Sequence, residues 1–453
     1  MLERLNGLAE KYGERTAYIY NNEKLSYAEL FDRAQKIEGK LDGKDKSPVA
    51  VFGGKNPDTM AAIIACLLVK RAYVPVNPKI PEERKNRIIT ASNARIIIDC
   101  TGKEPLFEEI KNGAQKQTEN DIAYIIFTSG STGEPKGVPI SYDNLDNFIW
   151  WITNLEPMNE FEHAGVFNQA EFSFDLSTAA IYYALFGGHT IIQNEENGDF
   201  AAVFDTITKN EANVFVVTPT FMRMLMLSKD FCEDNYPFIK CIYFCGETLQ
   251  KSLVCAIFER FPDIRIINAY GPTEATSAVC AIEITREILE HEELLPVGTI
   301  SDAATEIEIV DGEIVLKGKS AFSGYLGEEV GKRLVSGYKT GDLGYICGGK
   351  LYCKGRKDSQ IKYKGYRIEL SEIETDISKF PGVENCAVAA KKNPEGEVKM
   401  IKAFFSGEAE EDFIRKELSE KLPDYMIPKI IRKLSKLPMN KNGKTDRKEL
   451  EKL

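Results

Sequence analysis

Short apolar runs alternate with amphipathic stretches through the first two-thirds of the chain. Residues 49–52, 72–76 and 95–99 carry apolar runs of strand length, the last flanked by Arg95 and Asp99, and helical spacing of apolar positions marks 57–70 and 82–92 between them. The same alternation returns further on. Runs at 190–193, 214–218, 242–245 and 265–269 are separated by helical patterns near 200–210, 220–228 and 249–261. Strands apolar on both faces and divided by helices predict parallel sheets covered by helices. From Glu306 the period changes to two. EIEIVDGEIVLKG alternates about Asp311-Gly312 and YICGGKLYCKG about Gly348-Gly349, two hairpin patterns that predict a small antiparallel β-barrel or sheet closing the large domain. The remainder has helical patterns at 371–379 and 411–422 and strand patterns near 385–390 and 398–405, a small α+β unit. The polar stretch 356–359 is the expected joint. The predicted class is therefore α/β and α+β, with a large domain over residues 1–357 and a small one over 358–453.

Composition narrows the function classes. A chain of 453 residues with 43% hydrophobic content exceeds one core, and a net charge of −11 opposes a nucleic-acid or anionic-membrane partner. The lysine-rich end from Lys429 is the local exception. The N-terminal segment carries charges at short intervals, and no apolar run reaches membrane-spanning length, so a cytoplasmic protein without membrane insertion is expected. Ten scattered cysteines without a CxxC pair are expected to be buried free thiols in a reducing compartment. His163, His189 and His291 stand apart, which leaves structural zinc and histidine-based nucleophilic catalysis without support.

Candidate chemistry begins at YIIFTSGSTGEPKGV, residues 124–138. An apolar strand breaks at Thr128 into a loop with Ser129, Ser131 and Thr132 as donors, Gly130, Gly133 and Gly137 for close backbone approach, and Lys136 as a charge. A solvated Gly/Ser connector is the ordinary reading of such a composition. The strand ahead and the lysine behind favour a phosphate cradle, although Pro135 stands where a Walker loop needs glycine.

Six segments in one order, YIIFTSGSTGEPKGV, FSFDLS, FCGE, NAYGPTEAT, YKTGD with GRKDSQIKYKGYRIEL, and PMNKNGKTDRK, resemble the adenylate-forming superfamily. Over nearly the whole chain they are most similar to the D-alanine:D-alanyl carrier protein ligases. The resemblance implies that an amino-acid carboxylate attacks the α-phosphorus of ATP and that a phosphopantetheine thiol then captures the acyl adenylate. It implies ATP and Mg²⁺ as cofactors, a small amino acid as substrate, D-alanine being favoured, and a carrier protein as partner, as in lipoteichoic acid D-alanylation. Only nine residues follow Lys444, so the carrier is expected to be a separate chain.

Residue roles follow from the same resemblance. Thr128 and Ser129 would hold phosphate oxygens. Within NAYGPTE, Asn268 would read the adenine edge, Tyr270 would stack on the ring, Thr273 would reach the α-phosphate and Glu274 would hold Mg²⁺, with Ala269, Gly271 and Pro272 shaping the turn. Asp342 would accept the ribose hydroxyls, with Cys353, Lys354, Gly355 and Arg356 as further nucleotide contacts. Lys444 would bridge the substrate carboxylate and the α-phosphate as the catalytic lysine. Asp358 matches the hinge about which the small, mobile domain rotates, and Gly365 would leave room in the pantetheine channel. Asp175 would meet the α-ammonium group, Cys245 would lie beside the substrate Cα, and Ser277 replaces a valine that lines the alanine pocket in the ligases.

Each site has an ordinary alternative. Asp175 fits a helix N-cap ahead of Leu176, Cys245 a buried strand cysteine, Asp342 and Asp358 loop aspartates, NAYGPTE a Gly-Pro turn after a strand, and Lys444 a solvated tail. Two other functions remain open at this stage: a stand-alone adenylation domain of a nonribosomal peptide pathway, and a non-catalytic ATP-binding interaction protein.

Overall fold

The computed structural model describes residues 1–41, 45–110, 121–130, 134–194, 199–328, 337–394, 396–439 and 445–453. It divides into two compact units: Met1–Pro78, Ala91–Ile126 and Val138–Gly355 form the first, and Lys79–Thr90, Phe127–Gly137 and Arg356–Leu453 the second.

An eight-stranded sheet forms the frame of the first unit. Its strand order is Cys280–Glu283, Arg265–Tyr270, Cys241–Phe244, Val214–Val217, Gly165–Asn168, Thr190–Gln193, Thr16–Tyr20 and Glu23–Ser26. The six inner strands pair in parallel and both edge strands are antiparallel. Every residue of Gly165–Asn168, Val214–Val217 and Cys241–Phe244 is buried, as strands covered on both faces must be. A six-stranded sheet is built around the parallel strands Ile96–Asp99, Val49–Phe52 and Tyr73–Val76.

Local chemistry starts the helices. Asn56 caps Pro57–Leu68 by accepting the Thr59 N–H at 2.9 Å, and Ser26 and Ser141 open Tyr27–Glu38 and Tyr142–Thr153 with reciprocal capping boxes. Leu176–Gly187 has no polar face, because eleven of its twelve residues are buried. A helix of that kind lacks the amphipathic signal that exposes other helices in a sequence.

The two hairpin patterns meet in a five-stranded sheet, in the order Gly298–Thr299, Lys350–Arg356, Tyr338–Cys347, Glu313–Lys317 and Glu306–Val310. Asp311 and Gly312 have φ values of 52° and 78°, and Gly348 and Gly349 of 56° and 75°. Two consecutive left-handed residues match the twist of a tight hairpin, and glycine adopts that conformation without strain.

The second unit has its own core of Ile368, Ile373, Ile377, Val388, Phe405, Ile414 and Leu418 among others. A hairpin, Gln360–Tyr363 with Tyr366–Glu369, leads into the helix Leu370–Ser378. A sheet of Val383–Lys392, Val398–Gly407 and Ile430–Lys433 packs with the helix Glu411–Lys421. The stretches 79–90 and 127–137 also cluster in this unit.

All ten cysteines are unpaired. Cys66, Cys100, Cys241, Cys245 and Cys280 are buried. Cys255 and Cys347 correct the expectation, being exposed on a helix flank and at a strand end. Among the described residues no helix is long and apolar enough to cross a membrane.

Candidate nucleotide and amino-acid site

Cys245 and the NAYGPTE residues collect at the carboxyl ends of adjacent parallel strands, where ligands bind in open α/β sheets, whereas Asp342 and Cys353 to Gly355 lie on the antiparallel five-stranded sheet. Cys245 follows Cys241–Phe244, and Asn268, Ala269 and Tyr270 end the neighbouring strand. Gly271 and Pro272 then turn the chain into a short helical turn, Thr273–Ala275. A side chain at Gly271 would run into the backbone of Ser277 and Ala278, so this glycine is required by close approach of the chain to itself.

The three candidate carboxylates of this unit each accept a hydrogen bond from a hydroxyl. The Thr273 Oγ1 donates to Asp175 Oδ2 at 2.7 Å, joining the NAYGPTE segment to FSFDLS. Tyr270 Oη donates to Asp342 Oδ2 at 2.7 Å, and Tyr325 Oη to Glu274 Oε1 at 2.6 Å. Glu274 is fully buried, Asp342 is buried and Asp175 is half-buried. Burial, and then the Asp342 charge, push the Tyr270 hydroxyl well above the ordinary tyrosine range, so it remains a donor.

The N-cap alternative for Asp175 fails on geometry. Asp175 does precede Leu176–Gly187, but its backbone is already helical and its side chain makes no capping bond. Its carboxylate faces Thr273 instead, and the start of the helix favours a negative charge there. Cys245 lies against the Ser277 carbonyl, Sγ to O 3.9 Å, and both residues are buried. Asn268 sends its amide Nδ2 to the Pro296 carbonyl at 2.8 Å. On the strand Lys350–Arg356, Cys353 is half-buried, the Lys354 ammonium stands 4.5 Å from the Tyr345 ring centre, and Gly355 has a φ of 121°.

Thr128 ends the strand Ile122–Thr128, and Ser129 is the first loop residue of the second unit with a described partner set. Its hydroxyl donates to the Arg367 carbonyl at 2.8 Å and accepts from the Glu369 N–H at 3.1 Å. Arg356 grips Asp358 with two bonds, Nε to Oδ1 2.8 Å and Nη2 to Oδ2 2.6 Å. Burial raises the Asp358 carboxyl but the Arg356 bonds outweigh it, leaving the group below the usual carboxylate range. Gly365, at φ 82°, is the second left-handed residue of a hairpin turn after Lys364 at φ 54°. Ser131, Thr132, Gly133 and Lys444 lie outside the described residues.

Arg84 and Glu372, 288 positions apart, form a buried ion pair at 2.6 Å that no motif announced. Tyr325 on Glu274 was equally silent in the sequence. Neither has a periodic or compositional mark.

Two family models match the chain. One, described as AMP-binding enzyme, covers residues 6–326, and the other, AMP-binding enzyme C-terminal domain, covers 372–444. The chain belongs to the AMP-binding enzyme family. It is 36% identical to a D-alanine--D-alanyl carrier protein ligase of Bacillus licheniformis, over 100% of this chain and 99% of that protein. A ligase of the same name from Bacillus cereus is 35% identical, with 99% and 98% covered. Among solved structures, a Vibrio cholerae adenylation domain in complex with glycyl-adenosine-5'-phosphate superposes with a TM-score of 0.83 at 21% identity, covering 99% of this chain and 96% of that one. The o-succinylbenzoate CoA synthetase of Bacillus subtilis gives 0.83 at 21% identity, with 99% and 98% covered. The family read from the six motifs, the ligase class and the mixed fold all agree with these likenesses.

Proposed function

We propose that the protein joins ATP and D-alanine into D-alanyl adenylate and passes the D-alanyl group to the phosphopantetheine thiol of a carrier protein, as in D-alanylation of teichoic acids. The observation that carries this reading is the 2.7 Å bond from Thr273 to Asp175. It puts the residue assigned to the α-phosphate directly beside the residue assigned to the substrate ammonium, the juxtaposition that a reaction between an amino-acid carboxylate and an α-phosphorus needs.

In the first step a carboxylate oxygen bonds to the α-phosphorus as the bond to the bridging oxygen breaks, and pyrophosphate leaves. In the second the thiol loses its proton, its sulfur attacks the acyl carbon, and AMP leaves. Such transfers need positioning and charge neutralisation more than covalent help. Asp175 fixes the ammonium group and Cys245 packs beside Cα. Tyr270 stacks on adenine while its hydroxyl steadies Asp342, the ribose acceptor. Thr128 and Ser129 take phosphate oxygens, Lys444 neutralises charge developing at the phosphorus, and Asp358 and Gly365 serve the hinge and the thiol channel.

Glu274 suits Mg²⁺. It is a buried hard oxygen ligand backed by Tyr325, and among the described residues no group of three acidic, histidine or cysteine side chains forms a cage. Mg²⁺ is commonly held by one carboxylate together with substrate phosphates. Bound there, the ion would offset phosphate charge. Unpaired cysteines agree with a reducing cytoplasm as the place of action.

Pyrophosphate exchange tests the reading. D-alanine is expected to support exchange in preference to L-alanine and larger amino acids, with the acyl group then appearing on a carrier thiol. Faster exchange with L-alanine would remove the D-alanine assignment.

A further inference from the structure

Two buried hydroxyls beside Cys245 have no hydrogen-bond partner among the described residues. Ser277 is 2% exposed and its Oγ is unmatched; Tyr243, two residues before Cys245, is fully buried with its Oη unmatched. Buried hydroxyls ordinarily find partners. Tyr243 and Cys245 belong to one apolar cluster with Ala275 and Ala278, and Ser277 joins it through the contact of its carbonyl with Cys245.

Ser277 is also held in place. Thr276 and Ser277 are both left-handed, with φ of 60° and 74°, an uncommon conformation for residues with a side chain. The turn is fixed by Thr276 Oγ1 to the Ser320 carbonyl at 3.1 Å, by the Ala278 N–H to the Thr276 carbonyl at 2.9 Å, and by Cys245 against the Ser277 carbonyl. A strained, over-determined turn that ends in an unmatched hydroxyl is the signature of a functional position.

We infer that Ser277 is a specificity-determining residue, and that the pocket takes a small amino acid with a hydroxyl on its β-carbon, D-serine being the smallest, alongside D-alanine. The inference rests on the proposed assignment of Asp175 and Cys245 to the amino-acid site. A methyl group leaves the Ser277 hydroxyl unmatched. A hydroxyl on the same carbon can both donate and accept, and so answers it. Hydrogen bonding of a substrate hydroxyl inside a closed pocket separates it from the analogue lacking it by at least about tenfold.

The test is pyrophosphate exchange with D-alanine and D-serine, in the unaltered protein and in Ser277→Ala and Ser277→Gly. Glycine accepts the left-handed backbone, so that variant removes the hydroxyl without strain. D-serine is expected to exchange with kcat/KM within about tenfold of D-alanine, and the D-serine to D-alanine ratio to fall about tenfold or more in both variants, chiefly through KM. A purely structural role would lower both substrates together and leave the ratio alone, which would overturn the inference. So would an unaltered protein that exchanges D-alanine but not D-serine, a result that leaves the proposed function standing. Exchange with neither would instead bring down the assignment of the amino-acid site, and the inference with it.

Discussion

The candidate-site carboxylates of the first unit and two carboxylates of the second are held in different ways. In the first, Asp175, Glu274 and Asp342 each accept a hydrogen bond from a hydroxyl, of Thr273, Tyr325 and Tyr270. In the second, Glu372 meets the Arg84 guanidinium and Asp358 the Arg356 guanidinium. A hydroxyl orients a carboxylate and leaves its charge in force, whereas a fixed guanidinium neutralises it. The first arrangement suits the ammonium, metal and ribose roles proposed for these three groups; the second fixes a carboxylate in place, in a buried pair at Glu372 and at the proposed hinge at Asp358.

Substitutions can break or sharpen that contrast. The largest effect is expected from Lys444→Ala, with exchange reduced about 10²- to 10³-fold, the range for removing one electrostatic contact to a developing charge; intact exchange would remove the role proposed for it. Asp175→Ala should lower amino-acid-dependent exchange about a hundredfold without changing the melting temperature much, since leaving an ammonium unpaired in a pocket costs about 2 to 3 kcal/mol. Undiminished activity there would sink the ammonium assignment.

Glu372→Ala should act on stability instead. It leaves the buried Arg84 charge unmatched, and a loss of about 3 to 5 kcal/mol is expected in denaturant unfolding; a change below 1 kcal/mol would show the pair to be solvated. Asp358→Asn should cost no more than about 1 kcal/mol, because its carboxylate is nearly half exposed.

Acid separates the same two carboxylates. Burial raises Glu372 despite Arg84, so its contribution is full below the ordinary glutamate value and is lost as pH rises through the folded one. Asp358 is lowered, so its contribution is present above the ordinary aspartate value and is lost as pH falls through the folded one. Unfolding free energy measured from pH 3 to 7 should therefore become less favourable to the native state with rising pH at Glu372 and more favourable at Asp358. Glu372→Gln and Asp358→Asn should remove these opposite slopes one at a time; identical pH profiles for both variants and the parent would contradict the assignment.

Many strands and amphipathic helices were legible because their signals are local, although Tyr27–Glu38 and Tyr142–Thr153 were not among them. Period two around Asp311-Gly312, an apolar run at 214–218 that ends in Thr218 and an amphipathic pattern at 200–210 are each short and local, and the structure has Glu306–Val310 with Glu313–Lys317, Val214–Val217 and Phe200–Lys209 there. Of Leu176–Gly187 the sequence offered a start, in Asp175 as a candidate cap, but not the extent, because a helix buried all round has no period to read. The six motifs named the family by their order, which is again a property of the chain.

By itself, then, the sequence determined the family, the ligase class, the mixed fold and the residue types available for chemistry. The tertiary structure decided which of them meet. Whether Asp175 caps a helix or faces Thr273 depends on residues 98 positions apart. That Arg84 serves Glu372, and that the Ser277 hydroxyl has no partner among the described residues, depend on how turns and sheets close in space. Periodicity and propensity report the energy of a residue against its neighbours along the chain. Hydrogen bonds and ion pairs between distant segments depend on packing, which no local pattern encodes.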